Sequence, residues 1–217
     1  MPTRRGLFMG NRSITYGLIV IFFSILIIEA YNKSARERLT GPIDDIFRRH
    51  PDKLLIVYPT ASKTDSSLRD YAHKVAGLLN KKLHADILVY PDVEVDEDLL
   101  RNYSFILYGP IDENLVSREL KDYFPFHFGE GEVTLDGRRY DQENWRLIFI
   151  VPNPYNKRHY ILVYTGRTAN DLVGINLSGH PNFTHHDSTD YVLAVGSQIV
   201  EQGHFDKHNR SGWVLAH

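Results

Sequence analysis

Three times in succession between residues 54 and 124, a short unbroken apolar run stops at a proline or glycine and is followed by apolar residues at helical spacing. No other feature of the chain constrains its fold as strongly. Leu54-Leu55-Ile56-Val57-Tyr58 ends at Pro59, and Leu68, Tyr71, Ala72, Val75, Leu78 and Leu79 then share one face of a helix expected from about Asp65 to Lys81. Ser62 and Asp65 have the spacing of a capping box at its start. Ala85 to Tyr90, stopped by Pro91, reads as the second strand, and a short acidic helix near Asp96 to Arg101 follows it. Tyr103 to Tyr108 reads as the third strand, ended by Gly109-Pro110 and followed by a helix from Asn114 to Phe124. Continuous apolar runs suit strands buried on both faces. Three such units in a row imply parallel strands, right-handed crossovers and helices on the sheet faces.

The texture then changes. Asp136-Gly137, between Val133-Thr134-Leu135 and Arg138-Arg139-Tyr140, signals a tight hairpin. Strands are expected at Trp145 to Val151, His159 to Tyr164 and Tyr191 to Val195, with Ile199 to Phe205 pairing as an added strand. Thr168 and Asp171 form a second capping box, ahead of a helix ending near Ser178. The expected fold is α/β, with three layers and a mostly parallel sheet of the Rossmann or flavodoxin-like kind. Antiparallel additions extend it, and one hydrophobic helix precedes it.

That helix is the uncharged run from Ser13 to Ile28, dense in Ile, Leu and Phe. A bilayer span needs about 20 residues, a length the run reaches once its edges are counted. Arg4, Arg5 and Arg12 precede it, while Lys33, Arg36 and Arg38 follow. With the α-amine added, the N-terminal flank is the more positive, which favours N-inside and places the domain outside the cytoplasm. Ile28-Glu29-Ala30 offers a cleavage site, and cleavage there would secrete the domain. The expected organisation is a basic flank at 1–12, a transmembrane signal anchor at 13–30, a polar linker at 31–50, the α/β domain at 51–208 and a tail at 209–217.

A formal net charge of −2 gives no general excess of cations for nucleic acid. The chain has no cysteine, so disulfides, thiolate zinc sites and cysteine nucleophiles are excluded. No cofactor signature is present.

Several phrases recur in a familiar order: Tyr103-Ser-Phe-Ile-Leu-Tyr-Gly109 followed by Asn114, then Val151-Pro-Asn-Pro-Tyr-Asn156, Tyr160-Ile-Leu-Val-Tyr-Thr-Gly166, Asp190-Tyr191-Val192 and Gly203-His-Phe-Asp206. Over roughly residues 54–206 this resembles the α/β accessory domain beside the catalytic domain of some secreted bacterial esterases and prolyl-oligopeptidase-like hydrolases. The resemblance implies an α/β fold without assigned catalytic residues. The hydrolase domain itself is missing, and no Gly-x-Ser-x-Gly elbow occurs in the chain.

Two segments carry candidate chemistry. Thr60 to Ser67 is hydroxyl-rich and opens a helix, and ligands of open α/β sheets sit at strand carboxyl ends. Ser62, Lys63 and Thr64, with Arg167 after the strand ending at Gly166, form the candidate anion-binding set. Gly179 to Asp190 holds His180, His185, His186, Asp187 and Asp190. Its alternatives are a catalytic pair, His185 and Asp190, or a metal set, His180, His185 and Asp187. Adjacent His185 and His186 on an extended chain point to opposite faces, which disfavours a shared ion.

The reading that results is a membrane-anchored, extracytoplasmic, non-enzymatic interaction or accessory module. Its expected partners are the membrane, through 13–30, and another envelope protein or hydrolase. The alternatives are a hydrolase or metal-dependent enzyme using the 180–190 segment and a small anionic-ligand binder at the Thr60 loop.

Overall fold

The computed structural model describes residues 39–61, 65–175, 189–208 and 213–216, together with Ser24 and Ile27. Contacts divide the chain into two units, 1–38 and 39–217. In the first, Ser24 and Ile27 are helical. The rest of the hydrophobic run lies outside the described residues, and among the described residues no helix is long and apolar enough to cross a membrane.

The second unit is built on a seven-stranded mixed sheet. Its strands are β1 (Leu54–Tyr58), β2 (Leu88–Pro91), β3 (Ser104–Tyr108), β7 (Trp145–Pro152), β8 (Tyr160–Gly166), β9 (Tyr191–Val195) and β10 (Gln198–Gly203). They lie in the order β10-β9-β7-β8-β3-β1-β2. β1, β2, β3 and β8 pair in parallel. β7 runs against both β8 and β9, and β10 runs against β9. Parallel and antiparallel pairings are therefore equal in number, where sequence periodicity predicts a mostly parallel sheet. Val, Ile and Leu runs buried on both faces read alike in either direction, and β7 and β8 are such runs.

Both sheet faces are covered. One packs α1 (Asp45–Arg49) and α2 (Asp65–Leu83) over Ile56, Ile106, Ile148 and Leu162. The other packs α3 (Glu97–Asn102), α4 (Leu115–Glu119) and a small antiparallel sheet over Val57, Leu107, Phe149 and Val163. The small sheet comprises β4 (His127–Gly129), β5 (Glu132–Leu135) and β6 (Arg138–Tyr140). Its β5–β6 turn is the expected hairpin, with Leu135 opposite Arg138 and positive φ at Asp136 and Gly137.

The α/β unit starts earlier and ends later than sequence polarity predicts. Within the expected linker, Leu39, Ile43 and Ile46 are buried in the first core. Burial of each such isoleucine contributes roughly 1.5–3 kcal/mol. In the expected tail, Val214–Leu215 (β12) pairs with Phe205–Asp206 (β11), and Trp213 packs against both cores. Few apolar residues suffice at these ends because large ones land on the core. Every residue of both described cores lies between Leu39 and Leu215.

The expected helix from Asn114 to Phe124 stops at Glu119 and continues as a 3-10 turn, Lys121–Tyr123. Phe124 precedes Pro125 and is extended, as proline demands of the residue before it. The Thr168–Asp171 capping box forms but opens only a 3-10 turn, Ala169–Asp171.

Candidate functional site

The parallel strands β8, β3, β1 and β2 end together, and their carboxyl rim is where a doubly wound sheet takes a ligand. The chain order reverses between β1 and β3, so the crevice expected there lies between Pro59-Thr60 and Gly109. Gly109 has φ +128, and a Cβ on it would meet the Pro59 ring at 2.9 Å. The two loops are thus in direct contact at that point.

Beside them stands Asp92, the first residue after β2 and only 3% exposed. Its Oδ1 accepts from the Thr60 N–H at 3.0 Å and the Thr60 hydroxyl at 2.7 Å. Its Oδ2 accepts from the Leu115 N–H at 2.8 Å. One carboxylate thereby ties the loop after β1, the end of β2 and the start of α4. These backbone N–H groups are the donors an incoming anion would use. An internal carboxylate already occupies them and would repel a second negative charge. Sequence reading passed over Asp92, although an Asp directly after a strand-ending proline was the available signal.

Of the candidate anion-binding set, Ser62, Lys63 and Thr64 lie outside the described residues. Arg167 does stand at the end of β8. Its guanidinium donates to the Asp141 carbonyl, and its backbone N–H donates to the Trp145 carbonyl at 3.2 Å. The side chain is therefore drawn toward the segment before β7.

His180, His185 and Asp187 also lie outside the described residues, and Asp190 is described. Asp190 is completely buried at the amino end of β9, away from the carboxyl rim. Lys207 Nζ lies 2.7 Å from its Oδ2 and 3.0 Å from its Oδ1. The Phe205 N–H donates to Oδ2 at 2.9 Å, and His204 Nδ1 lies 3.5 Å from the same oxygen. Lys207 also donates to the Thr40 carbonyl and rests 5.0 Å over the Trp213 ring. Gly41 completes the packing: at φ +60, a Cβ there would come 2.3 Å from Asp190 Oδ1. Both oxygens of Asp190 are thus engaged in fastening residues 40–41 to the C-terminal extension. Among the described residues, no group of three His, Asp or Glu side chains is placed to hold a metal ion.

The structure also joins two residues that sequence spacing cannot connect. Ser104 Oγ lies 3.4 Å from His159 Nδ1, at the starts of β3 and β8. The serine is only 4% exposed and accepts the Tyr160 N–H at 3.1 Å. Burial, and then the neighbouring His50, Lys53 and Arg158, push the His159 pKa below its ordinary value. Ser104 thus bridges the His159 ring and the backbone of β8.

A cleft of about 840 Å³ opens beside the small sheet, lined by His127, Thr134, Asp136, Asp206 and Leu215 among others. Its described lining residues include two carboxylates and no Lys or Arg, a composition that suits a neutral or cationic group.

The motif asparagines shape the chain. Asn114 caps α4, accepting from the Val116 and Ser117 N–H groups at 3.1 Å each, and donates to the Tyr108 carbonyl at 3.0 Å. Asn153 donates to the Leu100 carbonyl at 2.7 Å, and Asn156 to the Arg101 carbonyl at 2.8 Å. They fasten the β7–β8 turn to the end of α3. No protein-family model matches the chain, and no curated protein matches it.

Proposed function

We propose that this chain is a membrane-anchored, extracytoplasmic α/β module that acts by binding, as an accessory to another envelope protein or to a hydrolase encoded separately. One observation carries the reading. Asp92 and Asp190, two buried carboxylates that could serve a reaction or frame a ligand, are each engaged by donors of the chain itself. The asparagine and glycine phrases that resemble a hydrolase accessory domain have architectural roles here, which fits such a module. The order β2-β1-β3-β8 fits the flavodoxin-like reading of the fold. The charge-free run at 13–28, with its more positive N-terminal flank, supports the anchor and its orientation.

Purified fragment 39–217 is expected to turn over no ester, peptide or phosphoester, with or without zinc. Hydrolase activity is expected instead to co-purify with the tagged full chain from solubilised membranes. Turnover by the fragment that His185→Ala abolishes would replace this reading with the hydrolytic one. A rise of the melting temperature with inorganic phosphate would favour the anion-binding alternative. A reporter fused after His217 tests the orientation: activity of a strictly cytoplasmic reporter reverses it.

A further inference from the structure

The residues directly ahead of β1, β3 and β8 are Lys53, Tyr103 and His159. Because Leu54 pairs with Ser104, and Phe105 with Ile161, these three stand in a row along the amino rim of the sheet. Lys53 Nζ lies 5.2 Å over the Tyr103 ring, and His50 lies 6.2 Å from His159 between ring centroids. The β7–β8 turn adds Lys157 and Arg158 to the same rim, and the end of α2 adds Lys81 and Lys82. His50, Lys53, Lys81, Lys82, Lys157 and Arg158 are all exposed, against the acidic Asp52, Asp86 and Glu119, the last accepting from the Tyr155 hydroxyl in the β7–β8 turn.

Lysines in the last turn of α2 have an ordinary reason to be there, since cations offset the dipole at a helix C-terminus. Lys157 and Arg158 stand in the β7–β8 turn, which Asn153 and Asn156 fasten to the end of α3. His50, Lys53 and Arg158 crowd His159 closely enough to disfavour its protonated form. Exposed Lys and Arg at the rim thus outnumber the exposed acids beside them, although the chain carries a net charge of −2.

The chain joins the unit at this same rim. The Thr40 and Gly41 N–H groups donate to Tyr160 Oη at 3.1 and 2.9 Å, and Tyr160 is the first residue of β8. From Ala30, at the end of the hydrophobic run, to Leu39 is only nine residues, a reach of about 30 Å at full extension. Lys33, Arg36 and Arg38 fall in that interval.

We propose that the amino rim, centred on Lys53, Lys157 and Arg158, docks on anionic lipid headgroups of the membrane that anchors the chain. The inference rests on the membrane-anchored reading for its setting, and its test does not depend on the anchor. Each Lys or Arg near an anionic surface adds to the affinity, and the attraction decays within about one Debye length, ~10 Å. Docking would hold the carboxyl rim facing away from the membrane.

Fragment 39–217, which lacks the hydrophobic run, is mixed with phosphatidylcholine vesicles with and without phosphatidylglycerol and subjected to flotation. It is expected to float with the anionic vesicles alone, and less as salt rises. Joint replacement of Lys53, Lys157 and Arg158 by Glu is expected to lower the anionic partition by on the order of a hundredfold. Arg138→Glu with Arg139→Glu, on the β5–β6 hairpin, leaves it within about twofold, and a cooperative thermal transition verifies that each variant folds. Equal partition onto neutral and anionic vesicles, no partition onto either, or an unchanged triple variant overturns the proposal. Binding to soluble polyglutamate without flotation also overturns it, and assigns the rim to an acidic protein. Alkaline extraction of the full chain from membranes tests the anchor separately, so the two readings fail independently.

Discussion

Asp92, at the carboxyl rim, and Asp190, at the amino end of β9, are both buried carboxylates, and the two are stabilised in opposite ways. Asp92 is met by two N–H dipoles and a hydroxyl. Asp190 is met by the Lys207 ammonium and one N–H. Dipoles come from the loops that a carboxylate organises, so Asp92 fixes local loop geometry. An ammonium on a long stem comes from anywhere in the sequence, so Asp190 fastens segments that are far apart: residues 40–41, 189–191 and 205–207. A ligand site could have been built in either place from the same residue types. In both places the chain closes the site on itself.

The contrast can be broken by mutation. Lys207→Met removes the cation and keeps much of the stem, leaving Asp190 buried without its counter-charge. Loss of one partner from such a pair costs about 3–5 kcal/mol. Urea unfolding of fragment 39–217 should show this as the largest loss in the series. Adding Asp190→Asn should recover part of it, because the uncompensated charge disappears. If the double variant is as unstable as the sum of the two singles, the pair is not coupled and the contrast with Asp92 fails.

At the carboxyl rim, Asp92→Ala strands the Thr60 and Leu115 N–H groups. The expected cost is about 2–3 kcal/mol by the same unfolding measurement. Hydrogen exchange should show the loss of protection confined to Thr60 and Leu115 and their neighbours. Loss of protection spread over the β9–β11 region as well would mean that Asp92 acts globally, as Asp190 does. Asn114→Ala, which uncaps α4 beside Leu115, should cost about 1–2 kcal/mol.

The smallest expected effect is a pH dependence at the amino rim. The His159 pKa is lowered in the folded chain, first by burial and then by His50, Lys53 and Arg158. Below the ordinary histidine value of about 6.5 the unfolded chain therefore binds more protons than the folded one. The contribution of His159 is present above about pH 6.5 and is lost as pH falls below it. Thermal unfolding of His159→Gln should show a shallower acid-side decline than the unaltered fragment. An identical decline would remove His159 from the account.

Much of the first half of the unit was legible in the sequence, because each βα unit is locally punctuated. Pro59, Pro91 and Gly109 end strands, and Asp96 and Asn114 cap the helices that follow. The hairpin at Asp136-Gly137 was equally local. Strand direction in the second half was not legible. β7 and β8 are buried on both faces whether they run parallel or antiparallel, and the turn between them owes its placement to Asn153 and Asn156 reaching α3. The candidate residues divide in the same way. Asp190 stood out in the sequence as a companion of the histidines at 180–186, and its described partners are Lys207, Phe205 and His204, all from the segment after β10.

The sequence by itself therefore determined the α/β class, the positions of most strands and caps, and the exclusion of thiol chemistry. These depend on the period of apolar residues and on residue types a few positions apart, which any single segment carries. Only the tertiary structure decided that Leu39, Ile43 and Ile46 belong to the core, that Asp92 closes the carboxyl rim, and that Asp190 pairs with Lys207 beneath Gly41. It also gathered Lys53, Lys157 and Arg158 on one rim. Each of these depends on which distant segments the sheet order brings together, and strand order is set by the packing of whole faces, which no local pattern encodes.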